Sequence, residues 1–264
     1  MSVAPINIRM ASVRSLLVET VGSGSALGTA SSFVAVHNSA HYLVTNWHVV
    51  AGRRPDSGTA ISASGAVPDQ LSVTHNAASQ LGVWLPKTEP LYDSDGDPLW
   101  LEHPAHGRRV DVVALPIGTD ADLAFYSYDP QNPGTMILFT PGADVTIIGF
   151  PFGVTVGGFL GIWVQGTVAS EPDVDFSGLQ CFLVDSRTRP GQSGSPVILH
   201  RIGSHLREDG GTMLGAGEVE RFIGVYSGRI NNDSDLGYVW KVQALLDILE
   251  GQRRGPLPTV GPPP

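Results

Sequence analysis

The sequence predicts an all-β fold, on three observations. Short runs rich in valine and isoleucine recur between turn residues along most of the chain, which is the signature of strands rather than helices. Glycine (32) and proline (20) are abundant among the 264 residues, and both punctuate strands with turns. Only one segment, near the C-terminus, carries a helical period. With 42% hydrophobic and 16% charged residues, the chain can bury one sizeable core or two smaller ones.

From Val13 to Val50 three strands are expected, VRSLLVETV, GTASSFVAVH and HYLVTNWHVV, separated by the turn-prone GSGSALG and NSA. His48 then falls near the end of a strand. Residues 51–107 alternate short apolar pieces with acidic and Pro/Gly-rich turns and read as hairpins with long loops. RRVDVVALPI follows as a buried strand whose apolar run begins just after Asp111. Six further strands are expected between residues 144 and 242: DVTIIGFPFG, GIWVQGTVAS, LQCFLVDS, SGSPVILH, RFIGVYSG and LGYVWKV. Six suffice for a small barrel. The helix comes last, in VQALLDILEG, with Val242, Leu245, Leu246 and Leu249 on one face and Gly251 positioned to stop it. The tail GQRRGPLPTVGPPP is proline-rich and expected to be extended and mobile.

The formal net charge is −9, with 16 Lys and Arg, which argues against a phosphate-binding surface and so against a nucleic-acid partner. The single cysteine, Cys181, sits in the apolar run LQCFLV, has no intrachain partner and reads as a buried small hydrophobe. The opening MSVAPINIRMASVRSLLVETV is broken by Asn7, Arg9, Arg14 and Glu19 and does not resemble an export signal. No run approaches the ~20 apolar residues of a membrane span. A cytoplasmic location and no membrane partner are therefore expected. The DSDGDP turn does not meet the calcium-loop pattern, because Pro98 and Pro104 stand where the glycine and the bidentate acid are required.

Three segments carry residue types that together support nucleophilic chemistry. A serine hydroxyl is a poor nucleophile at neutral pH and needs an imidazole to take its proton and a carboxylate to hold that imidazole's tautomer. His48 lies in YLVTNWHVVAG, Asp111 in VDVVALPI and Ser193 in PGQSGSPV, each beside an apolar strand. Asp122, in DADLAFYSYD, is the alternative carboxylate. Ser193 rather than Ser195 follows the Pro-Gly turn. The glycines have a purpose as well: the backbone amides of Gly191 and Ser193 must turn toward one point to bind the oxyanion of a tetrahedral intermediate.

LVTNWHVV, DVVALPI and PGQSGSPVI resemble the His, Asp and Ser blocks of trypsin-like peptidases of the chymotrypsin fold, in that family's order. The bacterial, disulfide-free HtrA-like group is the nearest in flavour: IIGFPFG is similar to one of its segments, while LGYVWKVQALLDIL resembles the last strand and terminal helix of trypsin-like enzymes. An additional peptide-binding domain after the helix is not expected. The resemblance implies two six-stranded antiparallel β-barrels and a C-terminal helix. An N-terminal barrel over residues 1–135 would carry His48 and Asp111, and a C-terminal barrel over 136–241 would carry Ser193. A helix over 242–250 and a disordered tail over 251–264 complete the expected division.

By the same resemblance, His48 is general base and then acid, Asp111 its orienting carboxylate and Ser193 the acylated nucleophile. No metal or cofactor is implied, and the partner is a protein or peptide substrate. Gln192 stands where trypsin-type zymogens carry an activating aspartate, so activation by a new amino terminus is not expected. The primary-pocket floor falls at Arg187 and its wall at Tyr226, Ser227, Gly228 and Arg229. A cationic floor would reject basic side chains, unless Arg187 pairs with Asp185 or turns to solvent. The leading expectation is a serine endopeptidase. The alternative is a catalytically silent protease-like module that holds peptides without cutting them.

Overall fold

The computed structural model describes residues 7–261 apart from Ala216 and Asn232. Its strands in chain order are β1 (Ser15–Gly22), β2 (Ser25–His37), β3 (Ala40–Thr45), β4 (Gln70–Ala77), β5 (Trp84–Pro90), β6 (Val113–Ile117) and β7 (Leu123–Ala124), then β8 (Asp144–Gly149), β9 (Ile162–Val168), β10 (Cys181–Ser186), β11 (Pro196–Ile202), β12 (His205–Leu206), β13 (Thr212–Met213), β14 (Glu218–Arg229) and β15 (Leu236–Lys241). Three short helices accompany them: α1 (Met10–Arg14), α2 (Trp47–Ala51) and α3 (Val242–Gly251).

The second half is a closed barrel in the order β10-β15-β14-β11-β8-β9. Its six strands coincide with the six apolar runs expected between residues 144 and 242. The first half is a sheet in the order β5-β4-β1-β2-β3-β6, with β7 beside β4, and it stays open as a half-barrel rather than closing into a second ring. Proline explains the opening. β5 contains Pro86 and Pro90, and β6 contains Pro116. None of the three has an N–H to donate across a closing seam, so β5 and β6 remain edges. The segment between them covers part of the gap, through Leu99 N–H donating to Leu91 O and a bridge of Leu101 to Ala114.

Each half has its own apolar core, one around Val18, Leu43, Leu71 and Val113, the other around Ile147, Phe182, Val197 and Val239. A third cluster joins them. β2 and β3 alternate, so that Val34 and Leu43 face the first core while Phe33, Ala35 and Val44 face Ile148, Ile198, Phe222 and Trp240 of the second half. Strands buried on both faces read as nearly continuous apolar runs, which is how SFVAV and YLV look in sequence. Cys181 belongs to this junction, and burial pushes its thiol up to about 11, as suits an inert core residue.

Helix α3 seals the junction with Ala244, Leu245, Ile248 and Leu249 buried. Its inward face is therefore rotated from the expected one: Leu246 and Val242 are only half-buried. The expected stop also moves by one residue, since Gln252 takes the left-handed conformation (φ 47°) and Gly251 is still helical. Gly251 is needed for a different reason. A Cβ there would lie 2.9 Å from Pro104 Cγ. The residues after the helix run extended along the first half, with Glu102 N–H donating to Arg253 O, Gly255 N–H to Trp100 O, and Arg108 to the carbonyls of Thr259 and Gly261.

Candidate active site

His48 does not sit on strand β3 but one residue into α2, which β3 feeds directly through the fully buried Asn46. The helix is short because Gly52 ends it in the left-handed conformation (φ 59°). Asp111 lies just before β6, the strand paired with β3, and is 7% exposed. One carboxylate oxygen accepts from the His48 backbone N–H at 2.9 Å and the other meets the ring Nδ1 at 2.7 Å. A carboxylate can only accept, so Nδ1 carries the proton and Nε2 is left as an acceptor. Asn46 Nδ2 holds the same corner by donating to the Asp111 carbonyl at 2.7 Å. Asp122 is not brought here; it is exposed in a turn, with its N–H bonded to the Asp120 carboxylate.

The Ser193 segment reaches this corner from the second half through its backbone. Ser31 N–H on β2 donates to Ser193 O at 2.9 Å, and Gly194 N–H donates to Tyr226 O at 2.9 Å. Gly194, at φ 86°, is pressed against β2 and β3: a Cβ would lie 3.1 Å from Thr45 Cα and would collide with Ser31 O. Thr45 is three residues from His48. The structure has a hydrogen bond from His48 to Asp111 and none from the His48 ring to the Ser193 hydroxyl, a contact that commonly tightens only when substrate binds. Ser193 is half-buried, whereas its neighbours Gln192 and Ser195 are fully buried. Only Ser193 among these hydroxyls can meet a substrate.

Gly191 takes φ 96°, and a Cβ there would collide with Phe150 O and approach Phe152 N to 3.0 Å. Among the described residues, neither the Gly191 nor the Ser193 N–H donates to any acceptor. Two unpaired amides on a glycine-shaped turn are what an oxyanion requires. The Gln192 carboxamide braces the loop from within, its Oε1 accepting from Arg189 N–H at 2.9 Å.

Ser31 was not singled out by sequence reasoning, yet it ties the loop to both halves. Its Oγ donates to Gly191 O at 2.8 Å and accepts from Phe150 N–H at 3.0 Å, while its carbonyl accepts from Thr45 Oγ1 at 2.9 Å. The signal in the sequence is weak: two consecutive serines just before the apolar FVAV of β2. Of the expected substrate-binding residues, Arg187 is exposed and lines an open cavity of about 470 Å³ with Asp185, Ser186 and Asp235. Tyr226 is buried, its hydroxyl bonded to Thr188 Oγ1. Ser227 Oγ accepts from Trp240 Nε1 at 3.0 Å, Gly228 has φ 128°, and Arg229 is half-buried at the end of β14.

A family model described as Trypsin-like peptidase domain matches residues 30–204, which span the Ser31 strand, His48, Asp111 and Ser193. Among solved structures, the serine endoprotease from Yersinia pestis is similar, at 13% identity and a TM-score of 0.51, over 94% of this chain and 67% of that one. The active form of the Rv3671c protease from M. tuberculosis is similar at 15% identity and a TM-score of 0.48, over 94% of this chain and 87% of that one. No curated protein matches. At 13% identity the Yersinia likeness speaks for the fold alone.

Proposed function

This chain belongs to the trypsin-like peptidase family and is a serine endopeptidase, and we propose that it works through Ser193, His48 and Asp111 by way of an acyl-enzyme. The observation that carries the reading is the two-point grip of Asp111 on His48, at 2.9 and 2.7 Å, which fixes both the ring's orientation and its tautomer. With Nδ1–H given to the carboxylate, Nε2 takes the Ser193 proton as Oγ attacks the scissile carbonyl. The Gly191 and Ser193 amides receive the negative charge that develops on the carbonyl oxygen. His48 then returns the proton to the departing amine, and water repeats the sequence in reverse to release the acyl group. Gln192 supplies no carboxylate for a new amino terminus to pair with, so the chain works without that cleavage.

A fluorophosphonate probe reacts only with an activated serine and tests this reading directly. Wild type is expected to label with 1:1 stoichiometry and Ser193→Ala not at all. Asp111→Asn should fold and lose about 10⁴-fold in kcat, because the wrong tautomer is then favoured. A folded wild type that resists the probe but binds peptides as well as Ser193→Ala would instead favour the silent binding module.

A further inference from the structure

We infer that the ring of Tyr226 fills the primary pocket, so that this protease cleaves after small side chains; the inference rests on the catalytic reading above. Strand β14 runs beside the nucleophile, with Tyr226 O accepting from Gly194 N–H and Tyr226 N–H donating to Ser195 O, both at 2.9 Å. By the resemblance to trypsin-like peptidases, the side chain that precedes the scissile bond lies between this strand and residues 187–192. In the chain's own structure that space is already crossed by a side chain.

The Tyr226 hydroxyl bonds Thr188 Oγ1 on the loop side. On the β15 side, a Cβ built on Gly237 would lie 2.6 Å from Tyr226 Cε2 and 2.9 Å from its hydroxyl, so the ring rests directly on the glycine backbone. Tyr226 is 2% and Thr188 1% exposed, and no cleft remains between them. The ring cannot easily swing aside, because Tyr226 belongs to the close-packed core of the barrel, with Val168, Phe182, Val184 and Val239 among its members. A β-bulge between Tyr226 and Gly228 offsets the strand just beyond it. Arg187, expected as the floor, does not compete for the space: it is exposed on the open cavity beside Asp185 and Asp235, and Thr188 is the residue that turns inward. With that space taken by the ring, Gly, Ala or Ser fits before the scissile bond, and Phe, Leu, Lys and Arg are excluded.

A peptide library varied at the residue before the cut, run on wild type, Tyr226→Phe and Tyr226→Val, tests this. Wild type should favour Ala or Ser over Phe or Leu by about 100-fold in kcat/KM, in line with the steric discrimination a closed pocket gives. Tyr226→Phe should keep that profile, because it keeps the ring. Tyr226→Val should raise cleavage after Leu and Phe by about 10-fold or more relative to Ala. Should Tyr226→Val fail to fold, inhibition of wild type by peptide boronates ending in Ala or Phe gives the same comparison, with the Ala form expected to bind more tightly. Fluorophosphonate labelling runs alongside, since the probe carries no side chain for the pocket. A labelled wild type that prefers large residues or the Phe boronate, or an unchanged profile in folded Tyr226→Val, overturns the pocket inference alone. An unlabelled wild type removes the catalytic reading and the inference with it.

Discussion

A single buried hydroxyl, Ser31 Oγ, links the first half of the molecule to the Gly191 turn of the second, and its partner Gly191 is 160 residues away in the chain. Its hydrogen bond fixes the Gly191 carbonyl, while Phe152 N–H holds the Pro190 carbonyl at 2.7 Å, so the Gly191 N–H, anti to Pro190 O in the same trans peptide, points away from Phe152. Removing the hydroxyl unpairs a buried carbonyl and the Phe150 N–H together, each worth about 1 kcal/mol or more. Ser31→Ala is therefore expected to lower kcat about 10-fold, corresponding to roughly 1.4 kcal/mol of transition-state stabilisation, with KM little changed. Kinetics normalised to active sites titrated by fluorophosphonate would check this. A variant that melts earlier but turns over normally would reduce Ser31 to a structural residue. The contrast with His48, Asp111 and Ser193 explains what was legible at this scale. The roles proposed for those three suit few residue types and fall in short, recognisable contexts, whereas a serine on a strand gives no local sign of which distant carbonyl it will meet. Asp111 and Asp122 both had suitable contexts, and only the pairing of β3 with β6 separates them.

At the scale of elements, the apolar runs disclosed the strands but not how their edges would finish. The open seam of the first half follows from Pro86, Pro90 and Pro116, whose missing N–H groups are visible in sequence but whose meeting at the two edges is not. The segment after α3 shows the same limit. Proline-rich composition points to an extended, mobile tail; residues 252–261 are extended but held against the first half, and composition is silent on the anchor that receives them. That anchor is Arg108, only 7% exposed, which donates to Thr259 and Gly261 carbonyls and lies 5.6 Å over the ring of Trp47, the residue before His48. Glu102, beneath the same segment, accepts from Trp47 Nε1 at 2.6 Å and Trp100 Nε1 at 3.2 Å. Arg108→Ala is expected to cost about 1–3 kcal/mol, the range for charge-assisted hydrogen bonds. It should also expose residues 252–261 to limited proteolysis under conditions where wild type is resistant. A variant with an unchanged melting temperature and an unchanged digestion pattern would mean that the segment is held by its backbone contacts alone.

For the whole molecule, acid stability turns on groups buried without regard to catalysis. His75 on β4 is completely buried, lies with its ring tilted 5.4 Å from that of Phe125, and has no hydrogen-bond partner on either ring nitrogen among the described residues. Burial, reinforced by Lys87 and partly offset by Asp120, lowers its pKa from 6.5 to about 4. The folded protein thus refuses a proton that the unfolded chain accepts. The stabilisation attached to neutral His75 is fully present above about pH 6.5 and is lost as the pH falls toward 4, amounting to roughly 3 kcal/mol at most. Glu89 and Glu102 work in the other direction, since burial raises both carboxyls and makes their protonation easier in the folded state. Wild type alone would therefore show a blurred profile, and the comparison with His75→Leu isolates the histidine. Denaturant unfolding between pH 7 and 4.5 should show wild type losing stability relative to His75→Leu as the pH drops, with the gap opening below pH 6.5. Parallel curves for the two proteins would mean that water or a shift of β4 relieves the buried ring, and that acid sensitivity in this fold arises elsewhere.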